Sequence, residues 1–156
     1  RLSLVGSEMC IRDRYNILKV QPEKGFTFSM EDALSIQGDS APFAMYSHAR
    51  MCSILDRYGA EVPPWSIEEN LTESEIALLR FLVKWPQTVD SAIDKFGIHL
   101  IPSYVHQLSS KFNNFYRDCK VIGDVNESFR LNLVLVSKRI LFDALDILGV
   151  EAPEKM

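Results

Sequence analysis

The chain has 156 residues, a formal net charge of −4, 47% hydrophobic and 24% charged residues. This is the size and make-up of one folded domain that can bury a core without disulfide or metal support. No apolar run approaches the roughly 18–20 residues of a membrane-spanning helix. Cys10, Cys52 and Cys119 are far apart and form no Cys-x-x-Cys pair. That excludes a zinc ribbon and a disulfide framework and fits a reducing cytoplasm. Cys52 and Cys119 read as small buried hydrophobes.

Residues 1–14, RLSLVGSEMCIRDR, begin without methionine and lack the charged n-region and apolar core of a signal peptide. LVGSEMCIRDR resembles translated library-adapter sequence, so 1–14 is set aside as non-native; a short native strand through Leu2, Leu4 and Val5 is the alternative. Residues 15–38 form a junction. Alternation of Tyr15, Ile17 and Val20, and again of Phe26 and Phe28, around Pro22 and Gly25 predicts two short extended segments. Ser29 then caps a short helix, Met30 to Ile36.

The main domain is expected over 39–156. Gly38-Asp39-Ser40 breaks the chain and re-caps it, Pro42 fits a first turn, and the helix runs to Tyr58 with Gly59 as its stop. Residues 60–71 are a linker stiffened by Pro63-Pro64. Thr72 and Glu75 form a capping box for a helix with Ile76, Leu79 and Val83 on one side. Pro86 ends or kinks it, and a further helix covers 87–96, with Gly97 behind it. A helix over 103–121 carries the stripe Val105, Leu108, Phe112, Phe115 and Cys119. Asn126 caps a long helix to Leu148 with Phe129, Leu133, Val136, Ile140, Ala144 and Ile147. Leu131, Leu135, Phe142 and Leu145 widen that stripe and suggest the centre of the bundle. The fold class is all-α, a bundle of about five helices preceded by a short extended segment.

Catalytic patterns do not emerge. His48, His99 and His106 fall in separate elements, and neither Gly-x-Ser-x-Gly nor His-Glu-x-x-His occurs. Gly59, Gly97 and Gly123 stand singly, with no phosphate-cradling loop among them. No metal site is expected. His106 falls opposite the apolar stripe of its helix and is the histidine expected to meet solvent or RNA.

Charge is unevenly spread: 60–96 carry seven acids against three bases, while 1–59 and 97–156 balance at seven and seven. That argues against an extended basic groove and leaves room for a small RNA-contacting patch. Phe43, Tyr46 and Arg50 stand at i, i+3 and i+7 on one helix face, and Tyr116 and Lys120 at i and i+4 on another. Aromatic rings and guanidinium planes stack on unpaired bases, and cations meet phosphates. Spacing alone favours core packing of Phe43 and Tyr46 and a solvated face for Arg50 and Lys120.

Resemblance specifies this pattern. EDALSIQGDSAPFAMYSHAR (31–50) is similar to the Gly-Asp-Thr-Gly-Pro-Tyr-x-Gln-Tyr-x-His-x-Arg stretch of arginine–tRNA ligases. YNILKVQPEKGFTF resembles the residues after the second class I signature in the family's archaeal branch. LSSKFNNFYRDCKVIG resembles its Phe-Asn-x-Phe-Tyr helix, and LDILGVEAPEKM its C-terminal ending. The resemblance spans about residues 15–156.

It implies a C-terminal piece of such a ligase, carrying a DALR-type anticodon-binding domain. Phe43, Tyr46, Arg50, Tyr116, Lys120 and Met156 are the implied anticodon-binding residues. Ala41 replaces a motif Gly, Phe43 a Tyr and Met45 a Gln, and the last two remove hydrogen-bonding groups. Lys120 falls where some relatives carry Trp. The resemblance further implies an ATP-dependent enzyme (ATP with Mg) whose nucleotide-binding signatures precede residue 15, so this piece alone is expected to be inactive. The implied partners are tRNA for arginine, through its anticodon loop, and the catalytic domain of the same chain, with neither DNA nor membrane. The same domain of a cysteine–tRNA ligase and a helical protein-interaction module are the rival readings.

Overall fold

The computed structural model describes residues 14–21 and 38–156. Among these residues there are five α-helices: α1 (Ala41–Tyr58), α2 (Glu73–Leu82), α3 (Trp85–Asp94), α4 (Leu100–Asp118) and α5 (Glu127–Ile147). The all-α expectation holds for the described residues. The extended segment expected from Tyr15 does not: residues 14–18 form a helical turn, closed by the Lys19 amide on the Tyr15 carbonyl at 3.0 Å. Tyr15 is fully buried, and its hydroxyl donates to the Pro102 carbonyl at 3.1 Å and to Asp39 at 3.0 Å. Burying this ring against the start of α4 favours the turn over an alternating strand. The rest of the extended segment and the helix expected over Met30–Ile36 lie outside the described residues. So does 1–13, while Arg14 donates to the Gly149 carbonyl at 2.7 Å.

Helix starts follow local chemistry. Ser40 accepts from the Phe43 amide, and Pro42 occupies the first turn of α1. Gly59 closes α1 in the left-handed region at φ 68°. Thr72 and Glu75 form the expected reciprocal capping box. Pro86 lies in the first turn of α3, so the break between α2 and α3 precedes it. Asn126 departs from expectation. It precedes α5 but makes no side-chain cap; its carboxamide oxygen instead accepts from the Glu68 and Glu69 amides at 2.9 and 3.1 Å, tying the linker down.

Packing orders the helices around α4, which contacts all four others, while α5 packs mainly on α1, α2 and α4. The centre is therefore shared, not owned by α5 as its long apolar stripe suggested. Leu108, Phe112, Phe115, Leu78, Met51, Leu141 and Leu145 are fully buried, each contributing about 1.5–3 kcal/mol of burial. Helix α2 buries Leu78, Phe81 and Leu82, whereas Val83 is 71% exposed and Leu79 also faces outward. On α5, Leu135, Val136, Phe142 and Ile147 are exposed as well.

Glu75 does more than cap α2. Its carboxylate is fully buried and accepts from Arg130 Nε of α5 at 2.6 Å. Arg130 also donates to the Lys120 carbonyl at 2.8 Å and pairs with Asp124 at 2.9 Å. Three links thus join α2, α5 and the loop after α4. Cys52 and Cys119 are free and buried, as expected.

Candidate nucleic-acid interface

Helices α1 and α4 pack side by side, and three of the six expected residues meet across their seam. The Arg50 guanidinium carbon lies 4.6 Å from the Tyr46 ring centroid and 5.2 Å from that of Tyr116. Its Nη2 donates to the Tyr46 hydroxyl at 2.9 Å. Tyr46 is 40% and Tyr116 is 42% exposed, so each ring has one supported side and one side open to solvent. Tyr116 is backed by Phe112 of its own helix, with nearly parallel rings 6.3 Å apart.

Arg50 is held from a second direction. Its Nη1 donates to the Asn113 side-chain oxygen at 2.9 Å. Asn113 Nδ2 donates to Ser47 Oγ at 3.1 Å, and Ser47 Oγ donates to the Phe43 carbonyl at 2.9 Å. The guanidinium is thereby oriented by both helices before any ligand arrives.

Beside this cluster opens a cavity of about 380 Å3 lined by Arg50, Ser53, Arg57, Tyr116 and Lys120, with Ile54, Cys119, Val121 and Ile122 as an apolar floor. Three cations line it and, among the described residues, no acid does. Such a cavity suits one extruded base whose phosphate meets cations at the rim.

The remaining expected residues are placed differently. Phe43 shares the α1 face but pairs with His106, ring centroids 5.7 Å apart, not with the Tyr46 cluster. His106 is therefore half-buried against an aromatic and is not the freely exposed histidine expected from its helix face. Helix α4 ends at Asp118, and Cys119 is extended at φ −123°, ψ 130°. Lys120 thus lies beyond the helix rather than one turn above Tyr116, and it enters the cavity from the loop. Met156 is 68% exposed at the chain end and does not line the cavity.

Sequence reasoning missed Asn113, although it lies inside the quoted Phe-Asn-x-Phe-Tyr segment. It also missed Arg57, which stands seven residues after Arg50 and so on the same helix face.

The family model described as the DALR anticodon binding domain matches residues 44–156. The chain belongs to this family. Five of the six expected residues fall inside the matched span, and Phe43 lies one position before it. The domain is 42% identical over 154 residues to the arginine–tRNA ligase of Thermococcus kodakarensis, covering 92% of this chain and 24% of that protein. Against the arginine–tRNA ligase of Halorubrum lacusprofundi, identity is 38% over 164 residues, covering 92% of this chain and 27% of that protein. Among solved structures, Thermus thermophilus arginyl-tRNA synthetase matches with a TM-score of 0.85 at 30% identity, over 93% of this chain and 26% of that one. The DALR chain spans about a quarter of the length of the curated relatives it matches. These relatives favour the arginine reading over the cysteine and protein-interaction rivals.

Proposed function

We propose that this chain is the anticodon-loop-binding portion of an arginine–tRNA ligase acting in the cytoplasm, with tRNA for arginine, not DNA, as its nucleic-acid partner. The observation that carries the reading is the Arg50 guanidinium held between Tyr46 and Tyr116, next to a cation-lined cavity, in a DALR domain. The two half-exposed rings offer stacking faces to unpaired bases. Arg50, Arg57 and Lys120 offset backbone charge, and Met156 contributes from the chain end. Binding energy won here, far from the reacting atoms, holds the acceptor end of the tRNA in the active site of the catalytic domain.

Activation of arginine uses ATP with Mg in the intact enzyme. The described residues do not fit that group. Gly59 and Gly149 each stand alone in left-handed turns that end helices, and no cluster of three His, Cys, Asp or Glu side chains is present among the described residues. The activation step is therefore assigned to the remainder of the ligase, and the 156-residue chain alone is expected to be inactive in pyrophosphate exchange.

Binding of an arginine anticodon stem-loop, followed across a salt series, tests the reading. Tyr46→Ala is expected to weaken binding by about 1–3 kcal/mol, the scale of one lost base stack. Arg50→Ala is expected to weaken it as well and to flatten the log–log salt slope by about 0.7 for one single-stranded phosphate. Unchanged binding in both variants, with helix content intact, would overturn the assignment and favour a protein-interaction role.

A further inference from the structure

The cavity beside Arg50 is built from α1 on one side and from a short loop on the other. Cys119, Lys120, Val121 and Ile122 of that loop line it together with Ser53 and Arg57 of α1. Helix α4 ends at Asp118, so the loop backbone has left the helical ladder and must find other partners. Gly123 turns the loop at φ 77°, and its amide donates to the Glu127 carboxylate of α5. A Cβ at Gly123 would stand 3.5 Å from Lys120 Nζ. The ammonium therefore rests against the turn, and the turn sets where it lies.

Arg130 of α5 clamps this loop from behind, without lining the cavity itself. Its Nη1 donates to the Lys120 carbonyl at 2.8 Å and pairs with Asp124 at 2.9 Å, so one guanidinium holds both ends of the turn. The Arg130 side chain is buried, and Glu75 fixes its direction at 2.6 Å from Nε. Glu75 is held in turn by the Thr72 amide and hydroxyl at 2.6 and 2.7 Å. Thr72 Oγ1 also lies 3.3 Å from Cys119 Sγ, at the start of the loop. The capping box of α2 thus reaches the cavity through Arg130 and through Cys119. A guanidinium carries several N–H donors in a fixed fork and can serve a carbonyl and two carboxylates at once. An apolar pair of similar volume would stabilise the core as well as a buried ion pair does. What the ion pair adds here is the geometry of the loop.

We propose that Arg130 is a positioning residue for RNA binding: by holding the Lys120 carbonyl and Asp124 it fixes the loop that supplies Lys120 and part of the apolar floor to the cavity beside Arg50. This rests on the anticodon-binding reading given above. An unclamped loop would leave Lys120 on a moving backbone, and RNA would have to order both on binding. The clamped loop has already lost that entropy in the free protein.

The experiment compares the parent chain with the double variant Glu75→Gln/Arg130→Met, each with and without Lys120→Ala. Gln keeps the cap with Thr72 and Met fills the space of the Arg130 stem, so both buried charges leave together and neither is stranded. Asp124→Ala is made separately; it removes one end of the clamp at the partly exposed edge and leaves the buried pair intact. Two quantities are read: heteronuclear NOE values of the Lys120, Val121 and Ile122 amides without RNA, and affinity for the arginine anticodon stem-loop. The double variant is expected to lower all three NOEs and to weaken binding by about tenfold, the scale of one lost base stack. Lys120→Ala should cost about fivefold in the parent and less than about twofold once the loop is unclamped, a coupling that a purely structural role of Arg130 would not produce. Asp124→Ala should lower the same NOEs and weaken binding by about threefold, and it decides the matter alone if the double variant fails to fold. Unchanged loop NOEs in Asp124→Ala or in the folded double variant would overturn the clamp. Full-strength binding by either, or an equal cost of Lys120→Ala in both chains, would overturn the positioning role. The NOE readout needs no RNA, and Arg50→Ala tests RNA binding separately, so failure of the clamp and failure of the RNA reading are told apart.

Discussion

Asn113 and Arg50 meet across the seam of α1 and α4, carboxamide oxygen to guanidinium at 2.9 Å, although they stand 63 residues apart in the chain. The other end of the same carboxamide grips Ser47, so one side chain sets both the spacing of the two helices and the plane of the arginine. An Arg side chain free in solvent has many rotamers, and binding RNA would cost the entropy of choosing one. Here Asn113 and Tyr46 have already chosen it.

Asn113→Ala is therefore expected to weaken stem-loop binding by about 1.5–3 kcal/mol, the range of one hydrogen bond to a charged group. Arg50 itself remains in place, so the salt slope should be nearly unchanged. Titration of the variant at two salt concentrations checks both parts. A flattened slope would mean that the arginine had swung away from the phosphate rather than lost its preorganisation.

Glu75 and Arg130 form a buried pair at 2.6 Å. Burial pushes the Glu75 carboxyl up, but hydrogen bonds from Arg130 and Thr72 outweigh it and hold the group below its ordinary value of 4.5. Glu75→Gln removes the buried carboxylate and leaves Arg130 with the partly exposed Asp124 as its remaining ionic partner, which is expected to cost about 3 kcal/mol of stability. Because the folded carboxyl is depressed, the stabilisation is complete above the unfolded value of 4.5 and is lost as pH falls through the lower folded value. Urea unfolding of both proteins at pH 7 and in the acid range should show the difference between them shrinking with acid.

Burial likewise lowers the His48 pKa below its ordinary 6.5, ahead of the raising effect of the Pro153 carbonyl and the lowering effect of Lys138. The unfolded chain then takes up a proton that the folded one resists, so this group costs no stability above about pH 6.5 and destabilises the fold as pH drops below it. The melting temperature is expected to fall between pH 7.5 and 5.5 in the parent chain and to fall less in His48→Asn. Parallel melting curves in the two proteins across that interval would show that the imidazole takes up its proton as readily in the fold as in the unfolded chain.

Local chemistry was enough to mark where most helices begin and end. Ser40, Pro42 and Gly59 around α1, and Thr72 with Glu75 at α2, act through hydrogen bonds and steric limits reaching only three or four residues. Tyr46, Arg50 and Tyr116 were also legible, from helical spacing and from resemblance together.

Which face of a helix is buried was less legible wherever apolar residues surround it. Helix α2 and the residue after it carry Ile76, Leu78, Leu79, Phe81, Leu82 and Val83, so its pattern allows more than one inward side. The neighbours α4 and α5 select Leu78, Phe81 and Leu82. The roles of Asn126, Asn113 and His48 were hidden for a related reason: their partners lie 57–58, 63 and 105 residues away. A polar side chain in a sequence announces only that it needs a partner. Which partner it finds is decided when the helices close around it, because burying it unpaired would cost more than any local preference could return.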